Sequence, residues 1–469
     1  RALGYETWTI FGVSYGTELG QVVMQVDRDG LRAAVLDSVV PLVVPIDDPA
    51  FTATLGFRSS LATLDAMCAA DTACARKFEA ISDDFIQAFK DFDESPVLLE
   101  DLSPQKAVDG QVLIDGTTAA GAVFLSLYRK ELYQDMPAIL RALETKDIEV
   151  LRLFVDQLGY SIDHSFGHGL SWVAGCKGSI LGPYRREATT AAAEQEPDLS
   201  KWMGFLSYGD VCSQVHAEPF EPFYAPLVSD IPTLVVSGDA DPITPPSYAR
   251  TILPGLSNHT YVEFPHTGHG GLLSNFDLCG RRLLRDFIVD PTRELNRDCV
   301  TETPAPDFLV RLRETKAPYR FLTGLQRGEY PRLAIAALAA LALTLVAFPA
   351  TALARRLDRS GAGRLGRARL LSWTGSALSL GGVAWALSTM FGVAANHATA
   401  LPIGVPPAIG WAGWLSAAGA LLAIGGAVQA FRYRVSAQAR IGTLIWISVA
   451  AASTAWIFWW LAQVGAGPL

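Results

Sequence analysis

Residues 8–16 read WTIFGVSYG, and the helix-like stretch TELGQVVMQV follows at residues 17–26. This order of apolar strand, tight turn and helix places Ser14 at the apex of the turn. The glycines at 12 and 16 permit a sharp turn, which exposes the serine hydroxyl at the edge of a sheet. Unpaired N–H groups at the start of the helix can stabilise a developing oxyanion. The motif therefore predicts a nucleophilic serine, with the backbone N–H of Tyr15 as one oxyanion donor.

A serine nucleophile needs a base and a group that orients the base, and in this arrangement the chain order is serine, acid, histidine. The stretch TLVVS at residues 233–237 is typical of a buried strand, and the loop GDADPITP follows it. The stretch YVEF at residues 261–264 predicts the next strand, and PHTGHGG follows that one. We expect His269 to take the proton of Ser14, and Asp241 to hold the imidazole in place.

Three other residues compete for these roles. Asp239 lies in the same loop as Asp241, which is favoured because Asp239 can instead satisfy turn amides. His266 competes with His269, which is favoured because glycine flanks it on both sides. Asp37 also ends a predicted strand, and a loop acid that makes structural hydrogen bonds is the preferred interpretation of that residue.

The stretches that carry these motifs resemble α/β-hydrolase serine peptidases of the tripeptidyl aminopeptidase branch, which are relatives of proline iminopeptidase. They read GYETWTIFGVSYGT (4–17), AAVLDSVVP (33–41), TLVVSGDADPITP (233–245) and GHG (268–270), and FIVDP (287–291) resembles the family's C-terminal end. The resemblance covers roughly residues 1–300. It implies an α/β fold of the α/β-hydrolase type and a Ser-His-Asp triad that works through an acyl-enzyme. It also implies that the substrate is a peptide with a free N-terminus, from which short peptides or single residues are removed.

One departure from the family concerns recognition of the substrate's amino group. Relatives carry an acidic residue just after the cysteine that matches Cys212, where it can hold an α-ammonium. Here the following residues are Ser-Gln-Val, and Gln214 cannot supply the charge. Glu218 and Glu221 are alternative candidates, although a solvated loop acid is the preferred interpretation of both.

The order of motifs predicts five regions. They are a first part of the hydrolase core (1–48), a mainly helical cap (49–225), a second part of the core (226–302), a linker (303–331) and a membrane region (332–469). Within the cap, helices are expected at residues 52–67, 83–92 and 135–158. Because the nucleophile strand comes first, whereas several strands precede it in an α/β-hydrolase, we expect an N-terminally truncated chain. Such a chain is expected to be inactive by itself and to expose a sheet edge.

The six cysteines all precede the apolar C-terminal region: Cys68, Cys74, Cys176, Cys212, Cys279 and Cys299. An even number of cysteines in an exported domain favours disulfides. Six cysteines allow about 15 pairings, of which we favour neighbour pairing, 68 with 74, 176 with 212 and 279 with 299. The sequence does not contain two C-x-x-C or H-x-x-x-H pairs, so it predicts no metal site.

Four apolar runs without Asp, Glu, Lys or Arg lie at residues 333–354, 370–394, 408–430 and 441–464. Each is close to the ~20 residues that a bilayer-spanning helix needs. Six arginines lie between the first two runs and three between the last two, whereas the middle loop at residues 396–407 has no Lys or Arg. The positive-inside rule places the two basic loops in the cytoplasm. Residues 1–330 are then expected outside the cytoplasmic membrane, and the four helices are expected to anchor the protein in its lipid bilayer.

Charge and motifs exclude other classes of function. Residues 331–469 carry ten arginines, no lysine and one acid, a net charge of +9, so the whole-chain value of −9 leaves −18 for residues 1–330. Such an acidic domain disfavours nucleic-acid binding, and the sequence, which has no P-loop motif, predicts no cofactor. We expect a membrane-anchored serine aminopeptidase. A carboxylic ester hydrolase and a non-catalytic ligand-binding domain are the alternatives.

Overall fold

The chain forms two compact units, Arg1–Val310 and Arg311–Leu469. The computed structural model describes residues 4–44, 47–100, 102, 109–154, 167–177, 186–203, 225–272, 278–329, 331–357, 365–397, 399–433 and 441–468. In chain order the elements of the first unit are β1 (Trp8–Val13), α1 (Tyr15–Val26), β2 (Leu31–Asp37), α2 (Ala53–Ala70), α3 (Thr72–Ala75), α4 (Ile81–Glu94), β3 (Val97–Leu99), β4 (Val112–Ile114), α5 (Gly116–Leu127), α6 (Met136–Glu144), α7 (Ile148–Phe154), α8 (His168–Lys177), α9 (Arg186–Gln195), α10 (Pro197–Trp202), β5 (Thr233–Gly238), α11 (Pro246–Ile252), β6 (His259–Phe264), α12 (Leu278–Val289) and α13 (Asp298–Thr301).

A parallel sheet with the strand order β1-β2-β5-β6 is the centre of the first unit. Val13 of β1 lies beside Asp37 of β2, which in turn lies beside Val236 of β5. Gly238, the last residue of β5, lies beside Phe264, the last residue of β6. The carboxyl ends of all four strands therefore meet at one edge of the sheet, where ligands bind in open α/β sheets.

Helices cover both faces of this sheet because successive strand residues point to opposite faces. On one face, Ala33 and Val35 of β2 pack in a cluster with Leu283 and Phe287 of α12. On the other face, Ala34 and Leu36 pack in a cluster that includes Met24 of α1 and Ala249 of α11. β2 and β5 are buried almost throughout, as near-continuous apolar strands of a parallel sheet should be.

The described residues between β2 and β5 are mainly helical, with β3 and β4 forming an antiparallel pair. Their core is rich in phenylalanine, with Phe57, Phe85, Phe89, Phe92 and Phe124 all fully buried. The predicted extent of the helix at residues 135–158 is wrong, because two separate helices, α6 and α7, occupy this region. Lys146 has φ 47 there, and the Asp147 carboxylate accepts the amides of Glu149 and Val150, which starts a new helix.

Two disulfides join neighbouring cysteines in the first unit. Cys68 bonds Cys74 with a Cα–Cα distance of 5.1 Å, and Cys279 bonds Cys299 with a Cα–Cα distance of 5.7 Å. Cys176 is also disulfide-bonded, and its predicted partner Cys212 lies outside the described residues. The second bond ties α12 to the start of α13.

The second unit contains four long apolar helices. Its elements are β7 (Arg313–Glu314), α14 (Ala317–Gln326), α15 (Arg332–Leu357), α16 (Gly366–Asn396), β8 (Gly404–Val405), α17 (Gly410–Arg432) and α18 (Ile441–Gln463). The helices α15 to α18 coincide with the four predicted runs and are long and apolar enough to cross a membrane. They indicate a multi-pass membrane protein.

Small residues bring α16 and α17 into close contact. A Cβ added to Gly419 of α17 would lie 2.5 Å from the carbonyl oxygen of Gly375 in α16. A Cβ on Gly426 would lie 2.7 Å from the carbonyl oxygen of Ala368. Helices in a bilayer gain stability from such close packing, because lipid provides no hydrophobic drive for helices to associate.

Candidate functional site

Ser14 sits between β1 and α1 in a backbone conformation that side-chain-bearing residues rarely adopt, with φ 55 and ψ −126. Its N–H donates to the carbonyl of Asp37 at 3.0 Å, and its own carbonyl accepts the Thr17 N–H at 2.8 Å. Gly12 is required here, since a Cβ at this position would meet the Gly16 carbonyl oxygen at 2.2 Å. Within the described residues the Ser14 side chain makes no capping bond to α1. The strained turn therefore presents the hydroxyl rather than engaging it in a cap.

Tyr15 is the first residue of α1. The first N–H groups of a helix have no partner within the helix. Among the described residues the Tyr15 N–H makes no backbone hydrogen bond outside α1, and it lies at the turn that carries Ser14.

His269 and Asp241 are brought together by the loops after β6 and β5. The Nδ1 atom of His269 lies 2.8 Å from Oδ2 of Asp241. Because a carboxylate only accepts, Nδ1 donates the proton and Nε2 is left to accept one. Thr244 donates its hydroxyl to the same Oδ2 at 2.6 Å, and Oδ1 accepts the amides of Ile243 and Thr244. The carboxylate is thus fixed from several directions, and sequence reasoning did not single out Thr244 within the DPITP motif.

The electrostatics of this pair favour its charged form. Burial alone would lower the pKa of the His269 imidazole, but the carboxylates of Asp241 and Asp37 outweigh it and raise the pKa above 6.5. Burial alone would raise the pKa of Asp241, but the charge of His269 and hydrogen bonds from His269 and Thr244 lower it. The His269 side chain is 13% exposed and that of Asp241 is fully buried.

The competing residues occupy other positions. The Asp239 carboxylate accepts the Thr267 amide at 3.0 Å, a contact between the loop after β5 and the loop after β6. His266, with φ 52, lies in the loop after β6, next to Thr267. Asp37 is fully buried at the end of β2, and its two carboxylate oxygens accept the amides of Gly271 and Leu272 at 2.9 Å each.

The mainly helical segment between β2 and β5, here called the helical insertion, contacts the loop that carries the acid and the loop that carries the histidine. The His269 N–H donates to the carbonyl of Tyr128 at 3.1 Å, and the two rings lie 4.7 Å apart. Ser60 of α2 donates to the carbonyl of Ala240 at 2.7 Å. No local pattern indicates these contacts, because they join segments far apart in the chain.

The residues considered for recognition of a substrate amino group lie outside the residues that the structure describes. Gln214, Glu218 and Glu221 all lie beyond the described ranges. In the described part of the chain, no group of three or more His, Cys, Asp or Glu side chains is arranged to hold a metal ion.

Comparison with known proteins bears on the fold of the first unit. A search of curated proteins finds no match. A family model of the alpha/beta hydrolase fold matches residues 1–276, which include Ser14, Asp241 and His269. This match covers more than half of the chain and agrees with the parallel sheet, the strained serine turn and the acid and histidine loops described above. The chain therefore belongs to the α/β-hydrolase fold family.

Proposed function

We propose that this protein is a membrane-anchored serine aminopeptidase that uses Ser14, His269 and Asp241 as its catalytic triad. The observation that carries the proposal is the 2.8 Å contact between His269 Nδ1 and Asp241 Oδ2. It lies at the edge of the sheet where the strained turn carries Ser14. The serine, the acid and the histidine also follow one another in the chain order that an α/β-hydrolase triad requires.

In the proposed reaction, the Ser14 hydroxyl oxygen attacks the scissile carbonyl carbon while its proton passes to Nε2 of His269. The Tyr15 N–H stabilises the oxyanion that forms on the carbonyl oxygen. Asp241 holds the imidazole and stabilises the imidazolium. His269 then returns the proton to the leaving amine, and water, activated by the same histidine, hydrolyses the acyl-enzyme and frees Ser14.

Specificity for free N-termini is supported by the resemblance to aminopeptidases of this fold and by charge. Residues 1–330 carry a net charge of −18, which favours approach of a cationic peptide terminus. The helical insertion, which contacts the histidine loop, is the proposed cap that limits access to the site.

An extracytoplasmic position of the catalytic unit is supported by two independent observations. The arginines cluster in the two loops that the positive-inside rule assigns to the cytoplasm. The first unit also contains disulfides, which persist in oxidising compartments.

A substrate panel tests the proposal on the complete, membrane-reconstituted protein. The panel comprises chromogenic amides of single amino acids, dipeptides and tripeptides, each with free and acetylated N-termini, beside short acyl esters. We expect cleavage of the free-amine amides, with a loss of about 10⁶-fold in kcat for Ser14→Ala. Cleavage of the acetylated amides in preference to the free ones would sink the aminopeptidase assignment.

An esterase is the second candidate, favoured by the four apolar helices, which suit an enzyme that works at a lipid surface. It requires the same triad and predicts ester turnover without amide cleavage. A protein that turns over no member of the panel, yet folds, would instead support a ligand-binding role.

A further inference from the structure

Two residues at the end of β2, Asp37 and Ser38, hold the segment that follows the proposed catalytic histidine. The amide of Gly270 donates to Oγ of Ser38 at 2.8 Å. The next two amides, those of Gly271 and Leu272, donate to the two carboxylate oxygens of Asp37 at 2.9 Å each. Three consecutive N–H groups directly after His269 are thus bound by one dipeptide.

The same dipeptide also holds the turn that carries the proposed nucleophile. The Ser14 N–H donates to the backbone carbonyl of Asp37 at 3.0 Å. Ser38 has φ 58, a left-handed conformation that is costly for a residue with a Cβ, and its N–H is bonded to the Val236 carbonyl of β5. A strained residue held by hydrogen bonds on several sides is typical of sites where precise placement matters.

We propose that Asp37 and Ser38 are positioning residues that link the serine turn to the histidine loop, and that the Asp37 carboxylate is a second anion stabilising the catalytic imidazolium beside Asp241. This inference rests on the proposed triad. The two residues have separable roles. Ser38 only positions the histidine loop, whereas Asp37 positions the loop and also supplies a negative charge.

The charges around Asp37 support its electrostatic part. Burial raises the pKa of Asp37 to about 6, against the lowering effect of the two amides that it binds. Among the charged groups that act on it, His269 lowers its pKa and Asp241 raises it. In return, the Asp37 charge raises the pKa of His269. Two buried carboxylates therefore act on one imidazole.

Two variants separate geometry from charge. Asp37→Asn keeps the size of the side chain but removes its charge and places an amide NH₂ against a backbone donor. Ser38→Ala removes the bond to Gly270 and leaves every charge in place. Asp239→Asn is the matched control, because Asp239 also accepts an amide of this loop but is not among the groups that shift the pKa of His269.

The first readout is the pH profile of kcat/KM for amide hydrolysis by the complete protein. Both Asp37→Asn and Ser38→Ala are expected to lose roughly 10–100-fold in kcat with little change in KM, since they misplace the imidazole. In Asp37→Asn the acid limb should also move to lower pH by about 0.5–1 unit, because an anion near the imidazole is lost. In Ser38→Ala and Asp239→Asn the acid limb should stay in place.

The second readout does not need turnover. Diethyl pyrocarbonate acylates neutral imidazole, so the pH dependence of His269 modification, followed by peptide mass spectrometry, reports the pKa of His269. A lower pKa in Asp37→Asn than in wild type supports the inference even if no substrate is cleaved, in which case the proposed function alone fails. An unchanged pKa overturns the electrostatic part. If Asp37→Asn does not fold, Ser38→Ala decides, and wild-type kcat in that variant overturns the positioning role.

Discussion

At the scale of single residues, the site is held rigidly before any substrate arrives. Ser14 is fixed in a strained turn by two backbone hydrogen bonds, one donated by its N–H and one accepted by its carbonyl. The Asp241 carboxylate is bound by His269, by the Thr244 hydroxyl and by two amides. Fixed groups of this kind need little reorganisation as charge develops, which is the main source of electrostatic catalysis.

The raised pKa of His269 gives a pH prediction at the same scale. Only the neutral imidazole can take the proton of Ser14, so activity is lost as pH falls through the pKa of His269. Because Asp241 and Asp37 hold this pKa above 6.5 despite burial, the midpoint of the acid limb of kcat/KM should lie above pH 6.5. A midpoint below that value, measured with a free-amine amide, would contradict the arrangement of charges around His269.

Residue identities near the site could be predicted only where a local motif carried them. The turn GVSYG and the loops GDADPITP and HTGHGG are continuous segments, so their chemistry can be inferred from the sequence. The hydrogen bond between Asp37 and Gly271 joins residues that are 234 positions apart in the sequence, and no local pattern predicts it. Asp37 was expected to make structural hydrogen bonds, and its partners come from the histidine loop. The catalytic role of the three triad residues stays a prediction.

At the scale of elements, the sheet was more predictable than the helical insertion. Apolar runs ending in polar loops predicted β1, β5 and β6, because buried parallel strands have a strong pattern. The helix expected at residues 135–158 is interrupted at Lys146, because the Asp147 side chain caps a new helix. A single capping residue within a helical pattern is easily overlooked when a helix is predicted from sequence. The four apolar helices were predicted well, since a bilayer demands length and composition that few other structures share.

The close contact between α16 and α17 leads to a stability prediction. Gly419→Ala should destabilise the helical unit by about 1–3 kcal/mol, because the new methyl group overlaps the Gly375 carbonyl. Gly425→Ala in the same helix is the control, since a Cβ there meets nothing within 4 Å. Thermal unfolding in detergent measures both. Equal melting temperatures of the two variants would show that the helices do not pack through Gly419.

At the scale of the whole molecule, an α/β-hydrolase unit is combined with four helices that are long and apolar enough to cross a membrane. The opposite net charges of −18 for residues 1–330 and +9 for residues 331–469 agree with this division. The charge pattern predicts that the acidic α/β-hydrolase unit and the arginine-rich loops lie on opposite sides of the membrane.

The topology of the membrane region can be tested with single introduced cysteines. Thr399→Cys, between the second and third apolar runs, should react in intact cells with a membrane-impermeant maleimide. Ser360→Cys, between the first and second runs, should react only after the cells are permeabilised. The reverse pattern would place the α/β-hydrolase unit in the cytoplasm.

The most direct test of the account is covalent labelling of the complete protein with a fluorophosphonate, which reacts with activated serines. We predict that the label is found on Ser14 by peptide mass spectrometry, that Ser14→Ala is not labelled, and that His269→Ala is labelled far more slowly while keeping its fold. Labelling of a different serine, or equal rates in wild type and His269→Ala, would contradict the assignment of Ser14 as a nucleophile activated by His269.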